Sequence, residues 1–287
     1  MTIACCLVVP EGVIFASDST VSEGIEGRYH YLNHNQKIYE LGENATVGVM
    51  TWGLSALRTT SHRTVIARTS DAQGADSSLR KLAEQLAINA WNEFQDEFRH
   101  EISEYHEIFQ RVSELARKGS GIRSKEDDDR LQSLQDEITF GYCIGGHLGD
   151  KRVPEAYHFE IDPTMKSPPS PYLVQGSLIK GQPEFFHRLY FGHGMNVLDN
   201  ITKSGLWSGT DSELGEILNR EFMVPPELTI RDAIDFAHFI VYSTIKTIKF
   251  SDREQVCGGP IEVAAITTDR KFRWVRHKDF DSAIGEW

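Results

Sequence analysis

Two residues near the start of the sequence are suited to nucleophilic chemistry. Thr2 follows Met1, and Asp18 ends the second of two apolar runs that flank Pro10-Glu11-Gly12. Methionine is commonly removed when a small residue follows it, and its removal would leave Thr2 with a hydroxyl and a free α-amine. Because an α-amine titrates near pH ~8, it can accept the hydroxyl proton under physiological conditions. The sequence therefore predicts acyl transfer to Thr2 and then to water.

A lysine and a strand end offer the other groups that this chemistry needs. Lys37 begins a short alternating run, and Trp52 and Gly53 end the next apolar run. A cation near the amine lowers the amine's pKa, and a carboxylate such as Asp18 keeps that lysine charged and oriented. A backbone N–H group at Trp52 or Gly53 would hold the oxyanion of the tetrahedral intermediate. Spacing alone favours a simpler interpretation, namely an edge-strand threonine, a turn aspartate and a surface lysine.

Strand periodicity predicts how these residues meet. A hairpin that turns at about residue 11 places Ala4 opposite Asp18 and Thr2 near Thr20. Since side chains alternate along a strand, Thr2 and Asp18 would project from one face. A second hairpin, of residues 37–41 and 45–50, would bring the Lys37 ammonium group and free N–H groups to one end. The sequence thus predicts a site where two hairpins end.

Beyond the hairpins the apolar period lengthens to three and four residues, which is typical of helices. One helix includes Leu57 to Ile66, and a second begins near Ser78 with an apolar stripe that continues to about Leu115. Strands are predicted at 138–145, 155–161, 261–267 and 272–275, and helices from about residues 183, 212 and 229. This order of strands and paired helices suits one domain, residues 1–287, with two antiparallel sheets covered by helices.

Composition and charge narrow the classes of partner. The 287 residues are 40% hydrophobic, enough for a large core, and the net charge of −12 opposes binding to nucleic acid or to an anionic membrane. No stretch approaches the roughly 18 apolar residues of a membrane span, and no secretory signal is recognisable, so a cytoplasmic location is expected. The sequence has no GxxxxGK[ST] loop, so no ATPase activity of its own is expected.

Cysteines and histidines do not indicate a cofactor or a metal. The cysteines have no CxxC spacing, which favours buried free thiols at positions 5, 6, 143 and 257. His30 and His34 are four residues apart in a polar stretch and are interpreted as surface residues. The basic residues between 270 and 278 alternate with Phe272 and Trp274, which indicates the exposed side of a final strand.

Several segments resemble proteasome β subunits. The matches follow the family's order along nearly the whole chain. They include the family's mature N-terminus, several of its strands, the segment that ends in its oxyanion glycine, its Gly-Ser turn and its Ser-Gly-Gly segment. The matching residues are 2–6, 12–19, 37–41, 48–53, 157–163, 176–177 and 256–263. Among relatives, residues 175–183 are most similar to the bacterial proteasome-like Anbu family. The resemblance implies a four-layer αββα sandwich of the N-terminal nucleophile (Ntn) hydrolases.

The resemblance also implies roles for individual residues. Thr2 would be nucleophile and amine base, Asp18 and Lys37 the activating pair, and Ser177 a supporting hydroxyl near the amine. The oxyanion glycine corresponds to Trp52 or Gly53, depending on a shift of one residue. Where the family has an aspartate and a serine behind the amine, this chain has Glu254 and Cys257.

The activity implied is that of a threonine-type peptidase or amidase. By resemblance it would act on polypeptides as a self-assembled ring or helical oligomer, with no cofactor and with any unfoldase ATPase supplied by another protein. Helical extensions around residues 102–135 and 194–227 exceed the family pattern. Two alternatives stay open: an amidohydrolase of small amides with the same chemistry, and a catalytically silent scaffold suggested by Met1, Glu254 and Cys257.

Overall fold

The computed structural model describes residues 2–25, 28–72, 78–117, 124–219 and 227–278. Within these ranges the strands are β1 (Ala4–Val9), β2 (Gly12–Ser17), β3 (Val21–Ile25), β4 (Arg28–Leu32), β5 (Ile38–Glu40), β6 (Val47–Gly53), β7 (Phe140–Gly146), β8 (Glu155–Ile161), β9 (Tyr172–Leu173), β10 (Ser177–Lys180), β11 (Glu262–Thr267) and β12 (Arg270–Arg276). The helices are α1 (His62–Asp71), α2 (Leu79–Glu97), α3 (Arg99–Arg117), α4 (Lys125–Ile138), α5 (Glu184–Tyr190), α6 (Val197–Ser204), α7 (Asp211–Asn219) and α8 (Ile230–Lys249).

Two five-stranded antiparallel sheets form the centre of the molecule. The first has the order β10-β1-β2-β11-β12, and the second has the order β5-β6-β7-β8-β9. Within the described residues, strands β3 and β4 pair with each other in a small separate ribbon. The predicted fold class, two antiparallel sheets flanked by helices, is confirmed.

Alternation along the strands divides the core into layers. On β1, Cys6 faces the second sheet together with Phe15 and Met50, whereas Cys5 faces α8. On the other side of the second sheet, Tyr142 packs against α1 and α2. Each sheet is therefore buried on both faces, which explains why its strands read as nearly continuous apolar runs.

Helix ends follow local capping chemistry. Thr229 caps α8 by accepting a hydrogen bond from the Asp232 N–H, as the sequence predicted. The apolar stripe that begins near Ser78 belongs to two helices, because the chain bends at Phe98 (φ −114°). Charged residues 125–130 open α4, where acidic groups in the first turn interact favourably with the helix dipole.

The turn of the first hairpin corrects one prediction. Val9 pairs with Gly12, so the turn contains only Pro10 and Glu11. Ala4 therefore lies opposite Ser17, and the predicted pairing of Ala4 with Asp18 is wrong by one residue. Because Ala4 and Ser17 form the last pair of this ladder, Asp18 lies one residue beyond it.

Some sequence predictions concern residues that the structure does not describe. Met1, the side chain of His30 and residues 220–226 of the second predicted extension lie outside the described residues. Among the helices of the described ranges, none has the length and apolarity that a membrane crossing requires.

Candidate functional site

Asp18 collects four hydrogen-bond donors at the end of the first sheet. Its Oδ1 accepts from the Ile3 N–H at 2.9 Å and from Lys37 Nζ at 2.6 Å. Its Oδ2 accepts from the N–H groups of Gly258 at 3.0 Å and Thr20 at 3.3 Å. The carboxylate is fully buried. Donors from three distant segments, at Ile3, Lys37 and Gly258, make charge-assisted bonds here, so Asp18 fixes how these segments meet.

Lys37 joins the second sheet to this carboxylate. Lys37 is buried, with 3% of its surface exposed, and its ammonium group also donates to the Thr20 carbonyl at 2.7 Å. The Lys37 carbonyl accepts from the Thr51 N–H at 2.9 Å, which holds the residue at the start of β5. An ammonium group has three donors, and these two bonds leave one for a group beside Asp18.

Thr2 lies directly beside the Asp18–Lys37 pair. It is bonded to Ile3, whose N–H shares Asp18 Oδ1 with Lys37 and whose carbonyl accepts from the Asp18 N–H at 3.3 Å. Thr2 is buried, with 4% of its surface exposed. Since Ala4 faces the space between the sheets, alternation places the Thr2 side chain on that side as well. The structure thus brings Thr2, Asp18 and Lys37 together.

The alternation of amides along β6 distinguishes Gly53 from Trp52. Leu54 donates to the Thr139 carbonyl on the β7 side, and Thr51 donates to Lys37 on the β5 side. Trp52 therefore points its N–H toward β7, whereas the Gly53 N–H points to the β5 side beyond the first residue of that strand. Of the two predicted oxyanion donors, Gly53 has the amide directed toward the Lys37 end.

The loop after Gly53 is held by a buried histidine. His62 Nε2 lies 2.9 Å from the Leu54 carbonyl, which can only accept, so Nε2 carries the proton and Nδ1 accepts from the Tyr142 hydroxyl at 2.7 Å. The Glu97 carboxylate accepts from backbone N–H groups further along the same loop, at residues 58, 59 and 60. The turn next to Gly53 is therefore rigidly placed.

Protonation of His62 is expected to loosen this turn. Burial lowers the pKa of His62, although its bond to Leu54 opposes the shift. Because the unfolded chain then binds more protons below the ordinary pKa of 6.5, stability is full above that value and declines as the pH falls toward the folded pKa. Urea unfolding at several pH values should show a flatter acid decline in His62→Gln. Replacement of the exposed His34 by Gln is the control, and an unchanged slope in His62→Gln would contradict the prediction.

Gly181 abuts Thr2 from the strand β10 side. It has φ +84°, and a Cβ atom built there would lie 1.7 Å from the Thr2 carbonyl oxygen. Only glycine allows this approach, so the turn after β10 determines where the residue-2 backbone lies.

Gly181→Ala is expected to displace Thr2, whereas Gly176→Ala supplies a matched control. Gly176 has φ +77° but open space around the Cβ position, so the control carries the backbone strain without the clash. Each should lose roughly 1–2 kcal/mol of stability from the positive φ. We expect a further loss, and a fall in Thr2 reactivity, for Gly181→Ala alone. Equal unfolding free energies and equal electrophile labelling of the two variants would contradict this.

An ion pair joins the two sheets close to the start of β1. Lys180, opposite Ala4 on β1, donates to Glu160 Oε2 at 2.8 Å, and the Trp52 indole donates to Glu160 Oε1 at 2.8 Å. Burial raises the pKa of Glu160, but the hydrogen bonds from Lys180 and Trp52 outweigh burial and the net pKa is lowered. Trp52 thus supports this ion pair through its indole N–H.

Cys257 lies near Asp18 and is one of the two residues in which the chain departs from the proteasome pattern. Burial raises the pKa of its thiol to about 12, the Asp18 charge raises it too, and Lys37 lowers it. Cys257 is therefore a neutral thiol beside the charged pair. Glu254, by contrast, is exposed and does not belong to this buried group.

Ser177 does not join the site. It pairs with Leu7, near the far end of β1, while Lys180 pairs with Ala4. The expectation that its hydroxyl lies near the Thr2 amine is wrong, because β10 runs antiparallel to β1 and brings Gly181 to Thr2 instead.

Sequence reasoning missed several groups that hold the site. The Gly258 N–H binds Asp18, and the Thr20 hydroxyl donates to Asn33 Oδ1 at 2.8 Å. Gly259 has φ +69°, and a Cβ there would lie 2.9 Å from the Asn33 carbonyl oxygen. The paired glycines were the signal, since a left-handed turn with close backbone contact favours glycine.

The fold is similar to solved structures of Anbu proteins. An Anbu (ancestral beta-subunit) from Yersinia bercovieri shares 11% identity over 98% of this chain and 91% of that one, with a TM-score of 0.49. An Anbu (Gly-1) mutant from Hyphomicrobium sp. strain MC1 shares 9% over 99% and 91%, with a TM-score of 0.46. A further Anbu structure from that strain shares 10% over 97% and 89%, with a TM-score of 0.47. No protein-family model and no curated protein sequence matches the chain.

Proposed function

We propose that the protein is an N-terminal threonine hydrolase that cleaves amide bonds through Thr2 once Met1 is removed. One observation carries the proposal: Asp18 Oδ1 binds both the Ile3 N–H and Lys37 Nζ, so a buried ion pair adjoins residue 2. Removal of Met1 would expose an amine here.

The geometry supports a defined sequence of proton transfers. Thr2 Oγ attacks the substrate carbonyl carbon while its proton passes to the Thr2 amine. The Gly53 N–H stabilises the oxyanion that forms. The amine then protonates the leaving nitrogen as the C–N bond breaks, which leaves an ester on Thr2. Water attacks that ester while the amine takes its proton. As the ester C–O bond breaks, the amine returns that proton to Thr2 Oγ and the acid product leaves.

Lys37 supports two of these steps through its positive charge. It favours the neutral form of the amine and the anionic form of the hydroxyl, both of which the attack requires. Asp18 is the counter-ion that positions the Lys37 ammonium group, while the neutral Cys257 thiol adds no charge of its own. The arrangement therefore suits attack by a hydroxyl near neutral pH.

The substrate and assembly are inferred from the same chemistry and from the sequence resemblance. We infer an amide in a polypeptide as substrate and a self-assembled oligomer, ring or helical, as the working form. An unfoldase partner and a cytoplasmic location stay predictions. Mass measurement of the native protein separates an enclosed oligomer from a monomeric amidase of small amides.

The experiment that tests the function combines intact mass with electrophile labelling. N-terminal sequencing of the expressed protein should begin at Thr2, and a β-lactone, which acylates hydroxyl groups, should add once per chain at that residue by peptide mapping. A chain that starts uniformly at Met1 and takes no label would favour the silent scaffold. Labelling at another residue would place the nucleophile elsewhere.

A further inference from the structure

A second buried carboxylate lies beside the Thr2 site. Glu262, on β11, is fully buried and pairs with Ser17, the residue before Asp18. Lys278 Nζ donates to Glu262 Oε2 at 3.1 Å, and His277 Nδ1 lies 2.7 Å from Oε1. A buried carboxylate is costly without a counter-ion, so the Lys278 ammonium group, which follows β12, compensates its charge.

Lys278 also holds the segment that leads to Lys37. Its ammonium group donates to the Asn35 carbonyl at 2.9 Å, and the Asn35 N–H donates to the Ser19 carbonyl at 3.0 Å. Lys278 therefore connects the end of β12 directly with Asn35, two positions before Lys37. Through Asn35 it also connects with Ser19, the residue after Asp18.

The charges of the two pairs act on each other. Burial lowers the pKa of Lys278, and the like charge of Lys37 lowers it further, while Glu262 and Asp18 raise it. The other titratable groups that face this cluster are His277, Cys257 and Tyr39, and the pKa of the Tyr39 hydroxyl is raised to about 12 chiefly by burial. The charges of Lys37 and Asp18 thus act on Lys278 as well as on each other.

We propose that Lys278 is a positioning residue for Thr2. Because Lys278 pairs with Glu262, Lys37 stays paired with Asp18. The positive charge of Lys278 also adds to the electrostatic field at the Thr2 amine. The inference rests on the proposed function of Thr2. Without Lys278, Glu262 would lose its ammonium counter-ion and would compete with Asp18 for the Lys37 ammonium group. The amine would then hold its proton to a higher pH.

The pH dependence of Thr2 labelling tests this role. The rate of β-lactone acylation should rise with pH as the amine loses its proton, and in Lys278→Met the midpoint should move upward by roughly 0.5–1 pH unit. Lys278→Arg should restore the wild-type midpoint, since it keeps the charge. Lys271→Met, which removes an exposed cation from β12, controls for net charge and should leave the midpoint unchanged.

A double variant keeps the test valid if Lys278→Met folds poorly. Glu262→Gln combined with Lys278→Met removes both buried charges, so it should fold and should return the midpoint toward that of the wild type. Equal midpoints in wild type and in Lys278→Met, with folding confirmed by thermal unfolding, would overturn the inference alone. Absence of label in wild-type protein would overturn the proposed function and the inference with it.

Discussion

Thr2→Ala is expected to reduce the rate of acylation by about 10³-fold or more, because it removes the attacking oxygen while leaving the charged pair in place. Thr2→Ser keeps an oxygen at the same position and should retain a measurable rate. Both residues are small enough to permit removal of Met1, so the variants differ from wild type only in the side chain. Burst kinetics with an activated amide or a β-lactone would measure the step directly.

The result separates a nucleophile from a residue that merely completes the strand. Thr2 is buried and its carbonyl contacts Gly181, so a purely structural threonine would affect stability but not selectively the acylation step. If Thr2→Ala acylates at the wild-type rate while its mass shows that Met1 is gone, the hydroxyl is not the nucleophile. Urea unfolding of the three proteins supplies the control for folding.

The layers of the fold were predictable because their physical signals are local. Alternation of apolar residues specified β1 and β2, and helical periodicity with the Thr229 cap specified α8. Neither signal depends on residues far away in the chain. The pairing of Asp18 with Lys37 was predicted from chemistry together with the family resemblance, and the structure places the two groups 2.6 Å apart.

The register of the hairpin was not predictable from the apolar pattern. Both strands of that hairpin are buried on both faces, so shifting one strand by a residue leaves the pattern equally apolar. Only the length of the turn at Pro10 decides the register. This is why Asp18 was expected opposite Ala4 and is found beyond the last pair of the ladder.

Contacts between distant segments were the other part that sequence could not supply. Ser177 was assigned to the site from a short local similarity, whereas its position depends on how β10 pairs along β1. Likewise, nothing near Lys278 in sequence predicts that it binds Asn35, because that contact forms only when β12 closes the first sheet. Both assignments require the tertiary structure.

Asp18→Asn is expected to destabilise the protein by about 3–5 kcal/mol, since it leaves Lys37 as a buried charge without a counter-ion. The two side chains are 0% and 4% exposed, so water cannot compensate. Lys37→Met should cost less, because Asp18 would keep the three N–H donors of Ile3, Thr20 and Gly258. Urea unfolding of each single variant, compared with wild type, measures both losses.

The double variant gives the sharpest form of this prediction. In Asp18→Asn combined with Lys37→Met neither charge is left unpaired, so its loss should be smaller than the sum of the single losses. The exposed pair Asp199–Lys203 is the matched control, and its Asn and Met variants should change stability little and additively. Additive losses at Asp18 and Lys37 would mean that each residue stabilises its own sheet independently. A coupling energy at the buried pair alone would support a shared electrostatic role, which is the property that the proposed chemistry at Thr2 requires.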